Sequence, residues 1–406
     1  MADGAPRIAV VTANANASNS YTLDWLEAFL ESPLLLATHI DLLRPGSSHR
    51  LRRALREVDA TVILHSVTTD DLQPLRNVVN TFSDRRGPVC LLVGNEINLP
   101  WAPMSEKISL MDQMHVEIVG TQLLLDAGRA LYGSLSATQV VSIPHAVDTS
   151  RLVYSAPRQS ANLTLGTRSA KYLPILGDTE RERFFTAVRE TGHSRGWEID
   201  IDASRLSRTA WQRYLAGVDA APGTEAGSWY TSPSDEVVAA ILRDARRSFG
   251  GVSIRVDGRT RRLARYLPWQ LRAWLRRNSG SKVLSNDLDL LAHLDPEETV
   301  KRFFEPVDRP AAYMKAASSR HFECAALGTT QLLLTGRYND IFKPGKHFVE
   351  VSSDHGNLGE ALDMLLELPA RISMSAESRQ LIEDHHTLNH RIRAILEVLL
   401  SSISIC

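Results

Sequence analysis

From residue 7 onward, short apolar runs alternate with segments whose apolar residues recur at helical spacing. That alternation restricts the chain more than any other feature. "RIAVVTA" (7–13), "LLLATHIDLL" (34–43), "ATVILHSV" (60–67), "GPVCLLVGNE" (87–96) and "TQVVSIPHAVD" (138–148) have the length and flanks of strands. "YTLDWLEAFL" (21–30), "SHRLRRALREV" (48–58) and "TQLLLDAGRALYG" (121–133) have the spacing of helices. Strand-helix alternation at this pitch predicts a doubly wound, mostly parallel sheet. The carboxyl ends of such strands carry the ligand site. The polar residues there are Asn14, Asn16, His65, Asn95, Glu96 and His145.

A second alternating unit begins near residue 160. "ANLTLGTRSAK" (161–171) reads as a strand entering a turn, and "GDTERERFFTAVRETG" (177–192) as a helix with a Thr179–Glu182 capping box. Strand "GWEIDIDAS", helix "RTAWQRYLAGV" and a Gly-rich "DAAPGTEAGSWY" follow. The pattern loosens between about 234 and 312. It resumes with the helix "KAASSRHFECAALG" (315–328), stopped by Gly328, and the strand "TQLLLT" (330–335). The long segment 375–400 reads as helix. With 406 residues, more than one core is expected. The expected class is α/β: a Rossmann-like domain over 1–152, a second over 153–374 with an insertion at about 234–312, and a last helical segment, 375–406.

The net charge of −1 gives the chain as a whole no attraction for nucleic acid. Cys90, Cys324 and Cys406 are far apart, which argues against a zinc site or a disulfide framework and fits a reducing cytoplasm. Neither a signal peptide nor a membrane-spanning apolar run is evident. Two D-x-D pairs, Asp200/Asp202 and Asp287/Asp289, are poor cages for a metal on their own. No metal and no cofactor is expected.

The order of "VGNE", "GTQLLLDAGRALYG", "IPHAVD", "LGTRSAKYLPILGDTERERFF", "GTEAGS", "SRHFECAALGTTQLLLTGRY" and "FKPGKHF" resembles the two-Rossmann-domain (GT-B) glycosyltransferases. It is most similar to the bacterial group 1 type with an F-E-A-A-A-like helix. The resemblance covers most of the chain. It implies two domains facing across a cleft, a last helix crossing back to the first domain, a nucleotide-sugar donor and an acceptor hydroxyl on a glycan, a lipid-linked sugar or a small molecule. Glu323 resembles the glutamate that holds the donor's ribose. A carboxylate is acceptor-only and suits a diol, and an unpaired one between Phe322 and Cys324 would be costly. Arg320 and His321 either complete that site or cap the helix.

Negative charge grows on the leaving diphosphate, so the site must aim cations and N–H groups at it. "LGTRSAK" offers Gly166, Arg168 and Lys171. The resemblance puts a second glutamate eight positions before Glu323, where this chain has Lys315. Glu225, in a Gly-rich loop after a strand, is the expected substitute facing the donor sugar, with Lys315 facing the phosphates. For the catalytic base the candidates are His65, Glu96 and His145, with Asn95 on the acceptor side. A nucleotide-sugar epimerase and a non-catalytic nucleotide-sugar-binding protein are alternatives on the same architecture. Finally, "RRLARYLPWQLRAWLRR" in the insertion puts apolar residues on one helical face and arginines opposite. Such a helix, over about 259–277, either lies in an anionic membrane surface or docks on the protein.

Overall fold

The computed structural model describes residues 4–13, 20–160, 162–170, 172–248 and 287–403. Asn14, Asn16, Lys171 and the basic segment 259–277 lie outside the described residues. Among the described residues, one parallel sheet contains β1 (Arg7–Thr12), β2 (Leu36–Asp41), β3 (Ala60–Ile63), β4 (Val89–Leu92), β5 (Ile118–Thr121) and β6 (Gln139–Ser142), in the order β2-β1-β3-β4-β5-β6. Every residue of β3, β4 and β5 is buried, as both-faces-covered parallel strands require. β5 is absent from the sequence expectation. Its four residues run into the leucines of "QLLLDAG", and the helix itself starts only at Leu125.

The second parallel sheet contains β7 (Thr164–Arg168), β8 (Glu198–Asp202), β9 (Ala220–Gly223), β12 (Thr330–Leu334) and β13 (Val349–Val351), in the order β13-β12-β9-β7-β8. A small antiparallel pair, β10 (Ala226–Gly227) with β11 (Lys315–Ala316), sits beside it. Lys315 is therefore in a strand and not in the helix that follows. The order reverses beside β1 and beside β7, and crevices open at such switch points.

The C-terminal segment is two helices. Leu368–His385 packs on the second domain through Met374 and Ile382. The chain crosses at His386–Thr387, where Val147 exchanges backbone hydrogen bonds with His386 and Leu388. The helix Leu388–Ile403 then covers one face of the first sheet, with Ile392, Ile395 and Leu399 against Ile8, Val10, Trp25 and Phe29. The return to the first domain thus starts at Leu388.

The insertion contributes a second tie. Its helix Glu236–Ser248 joins Val238, Ile241 and Leu242 to the core that covers the other face of the first sheet. Just before it, Asp235 accepts hydrogen bonds from the Met104 N–H (3.2 Å) and the Ser105 N–H (2.9 Å). It thereby caps the first-domain helix Met104–Gln113 from outside, since the helix has no side-chain cap of its own. Asn98 Nδ2 also donates to Asp235 Oδ1 at 2.7 Å. Asp235→Ala is expected to lower unfolding free energy by about 1–2 kcal/mol, the usual worth of a cap. Urea denaturation against wild type reads this directly.

Candidate functional site

The turn after β4 is built by two unusual residues. Asn95 has a left-handed backbone (φ 46°), uncommon for a residue with a Cβ. Lys107 fixes it from below, fully buried, with Nζ donating to the Gly94 carbonyl (3.0 Å) and the Asn95 carbonyl (2.6 Å). Burial brings the Lys107 ammonium down to about 8. Gly94 has no room for a side chain, because a Cβ there would overlap Thr69 and the His65 carbonyl. This turn brings Asn95 to the cleft and directs Glu96 inward. Glu96 accepts from Thr121 Oγ1 (2.6 Å), Tyr132 OH (2.7 Å) and the Gln122 N–H (2.7 Å). Both its oxygens are engaged, so its expected part as a base gives way to holding the turn at Gln122.

Beside this turn, at the β1/β3 switch point, lies an aromatic cluster. His65 has ring contacts with Tyr21 and Trp25, and its centroid is 6.2 Å from that of His145. Both histidines are buried, and among the described residues neither His65 ring nitrogen nor His145 Nδ1 has a hydrogen-bond partner. Burial, with the Arg391 charge adding, lowers His145 to about 3. Burial, with His145 adding, holds His65 well below its ordinary value. Both rings are neutral at physiological pH.

Across the cleft, the helix Ser319–Leu327 begins with a capping box in which the Ser318 N–H donates to His321 Nδ1 at 2.9 Å. His321 is thus a cap, buried and edge-on to Tyr338, and burial with the Arg320 and Arg181 charges keeps it neutral. Gly328 ends the helix with φ 86°, as its sequence position predicts. Ser319, Arg320 and Glu323 face a cavity of about 390 Å³. Its other walls are Tyr21 and Asn95 from the first domain, and Arg168, Arg205, Arg208 and Trp211 from the second. Glu323 is 5% exposed, and its Oε2 accepts from Trp211 Nε1 at 2.9 Å. Among the described residues Arg320 makes no ion pair, and its buried Nε has no hydrogen-bond partner there. Burial, then the neighbouring Arg181, lowers its pKa to about 10.

The cavity mouth is bridged by charge. Arg208 pairs with Asp24 and, at 2.7 Å, with Glu27, both on the first-domain helix Ser20–Glu31. Burial raises the Asp24 carboxyl to about 7, against the pull of Arg208 and with Glu323 and Glu27 adding to it. The folded protein therefore holds a proton that the unfolded chain releases near pH 4, and stability from this group is lost as pH rises from there through 7. Measured between pH 5 and pH 8, wild type is expected to lose stability relative to Asp24→Asn. Parallel curves for the two proteins would contradict the assignment.

Several expected site residues have other partners. Arg168 is clamped by Asp200 (Nη1–Oδ1 2.8 Å, Nη2–Oδ2 2.7 Å) and lies 4.1 Å over the Tyr214 ring. At Gly166 a Cβ would overlap Tyr214 OH and stand 2.7 Å from Val218. The absent side chain thus makes room for a phenol. Lys315, 3% exposed, sits between Asp178 and Glu180, each at 2.7 Å, so its charge is already matched. Glu225 accepts from the Tyr338 N–H (2.6 Å) and from Tyr313 OH. It steadies three consecutive left-handed residues, Tyr338, Asn339 and Asp340. Asn339 in turn donates to the Gln122 carbonyl of the first domain at 2.8 Å. The helix after Gly177 is capped by Asp178, which accepts from the Glu180 N–H at 2.9 Å, while Thr179 makes no cap bond. Arg205, Arg208 and Trp211 line the cavity without having been singled out in the sequence. They sit in an ordinary-looking loop and helix start.

Residues 280–397 match the family described as glycosyl transferase-like. No curated protein sequence matches the chain. Among solved structures, HepE of Anabaena in complex with UDP-glucose is similar with a TM-score of 0.50 and 9% identity, over 98% of this chain and 100% of that one. The T4 phage BGT in complex with its UDP-glucose substrate is similar with a TM-score of 0.50 and 11% identity, over 97% of this chain and 99% of that one. At such identities the likeness is one of fold. The chain has the GT-B architecture: two Rossmann-like domains with the carboxyl ends of their sheets facing across a cleft.

Proposed function

We propose that this protein transfers a sugar from a nucleotide-sugar donor to an acceptor hydroxyl. The observation that carries the reading is the pair Glu323 and Arg320 on one helix facing the interdomain cavity. One group only accepts hydrogen bonds and the other only donates them, matching a ribose diol and a diphosphate. The helix start adds its N–H groups and dipole to the phosphate side, and Arg205 adds a cation. The family match over 280–397 and the UDP-glucose complexes of HepE and BGT support a nucleotide-sugar as the donor.

In this reading Tyr21, Asn95 and the His65–His145 cluster form the acceptor side. The acceptor is a glycan, lipid-linked or small-molecule alcohol. With Glu96 and Glu225 engaged in turns, the acceptor proton passes either to a neutral imidazole of that cluster or to the departing phosphate. The Arg208 bridge holds the domains together over the donor, which excludes water and protects it from hydrolysis. No metal is required, because charge on the diphosphate is met by arginines.

A thermal-shift screen against nucleoside diphosphates tests the donor site. One of them at about 100 times its dissociation constant should stabilise the protein by about 2.7 kcal/mol. No shift with any would remove the reading. Turnover is expected to survive EDTA, and its loss there would restore a metal.

A further inference from the structure

Trp211, Tyr214, Arg168 and Gly166 form one connected assembly that ends on Glu323. Arg168 is held flat by the two Asp200 oxygens and lies on the Tyr214 ring. Tyr214 OH accepts from Arg168 Nη1 at 2.8 Å and donates to the Asp200 carbonyl at 2.7 Å. Gly166 leaves the space that the phenol occupies. Three residues earlier on the same helix, Trp211 stacks on Tyr214 with centroids 5.8 Å apart and planes 21° apart. Its indole N–H then meets Glu323 Oε2 at 2.9 Å. A long side chain on a half-buried surface is given one orientation by this stack, and an indole has a single donor to spend.

Resting on the donor reading above, we infer that Trp211 is a positioning residue that orients the Glu323 carboxylate toward the ribose hydroxyls, with the Gly166–Arg168–Tyr214 stack setting Trp211. A carboxylate takes both hydroxyls of a diol in a narrow range of orientations, and the Trp211 bond restricts Glu323 before the donor arrives. A preset plane lowers the cost of ordering on binding. Arg168, although it lines the cavity, and Gly166 act here through the stack.

The test is discrimination between sugars of the nucleotide. Calorimetry compares UDP, GDP, ADP and CDP with their 2′-deoxy forms on wild type, Trp211→Phe and Gly166→Ala. Wild type is expected to prefer the ribose form of the nucleotide it binds by roughly tenfold, the worth of one hydrogen bond to a charged group. In Trp211→Phe the ring stack persists but the N–H is gone, and the preference should fall to about twofold or less. Gly166→Ala, which displaces Tyr214, should lower the ratio in the same direction. A partly misfolded sample lowers the apparent number of sites for both forms alike and leaves the ratio of affinities intact. An unchanged ratio in Trp211→Phe therefore overturns the positioning role. Failure of wild type to bind any of these diphosphates overturns the donor reading, and the inference with it.

Discussion

Glu323→Ala is expected to lower kcat/KM for the nucleotide-sugar by roughly 100-fold, about 3 kcal/mol, the sum of two hydrogen bonds to a charged acceptor after solvent exchange. The loss should fall mainly on donor affinity, because a ribose lies away from the bond that breaks. Glu323→Gln keeps the shape and an acceptor oxygen, so it should lose less. Burial makes the comparison informative. The carboxylate is 5% exposed and already bonded to Trp211, so removing it also leaves an indole N–H without its partner. Stability measured alongside separates the two effects. An alanine variant with unchanged donor affinity would show that the cavity holds something other than a ribose.

Lys315→Met is expected to cost about 3–5 kcal/mol of stability, the range for breaking a buried ion pair by removing one partner. Asp178 and Lys315 have side chains 1% and 4% exposed, and the second acid, Glu180, is tied by Trp229 Nε1 at 2.9 Å. Methionine fills the space but leaves two carboxylates facing each other. Burial opposes the lysine charge, yet Asp178 and Glu180 outweigh it and raise the Lys315 pKa. A raised lysine pKa gives stability that is complete below the unfolded value, near 10.4, and is lost as pH rises through the folded value. The penalty of the substitution should therefore be full at pH 7 and shrink in strong alkali, where the lysine loses its charge, and in strong acid, where the carboxylates lose theirs. Urea unfolding reads it. Nucleotide affinity of the folded fraction should change far less, which distinguishes an architectural lysine from a phosphate ligand.

The architecture was legible because fully buried parallel strands must be apolar on both faces. β1, β3, β4 and β12 stand out as runs for that reason. β5 did not, since Gly120 and Thr121 merge into a helix of leucines without a break. Glu323 was legible from its own neighbours: a carboxylate between Phe322 and Cys324 needs a partner wherever it sits. Lys315, Glu225 and Arg168 carry no comparable local signal. Lys315 is answered by Glu180, 135 positions away, and Glu225 by Tyr338, 113 positions away. Arg168 meets Asp200 only because β7 and β8 are neighbours in register. Spacing in one dimension shows that a cation is near a turn, but not which acid has already claimed it. Trp211 is the clearest omission, as its meaning depends on the distant carboxylate that receives its N–H.

The helix Leu388–Ile403 covers a face of the sheet whose strands all lie before residue 143. A chain emerging from the ribosome therefore makes its first domain long before it makes that domain's lid. Until residues 388–403 are made, Ile8, Val10 and Trp25 lack the cover of that helix, and until residue 235 is made the Met104 helix lacks the aspartate that closes its start. The second domain, by contrast, has its strands and most of its packing complete when residue 385 appears. Synthesis and maturation thus run in opposite orders here: the half that is translated first is the half that is finished last.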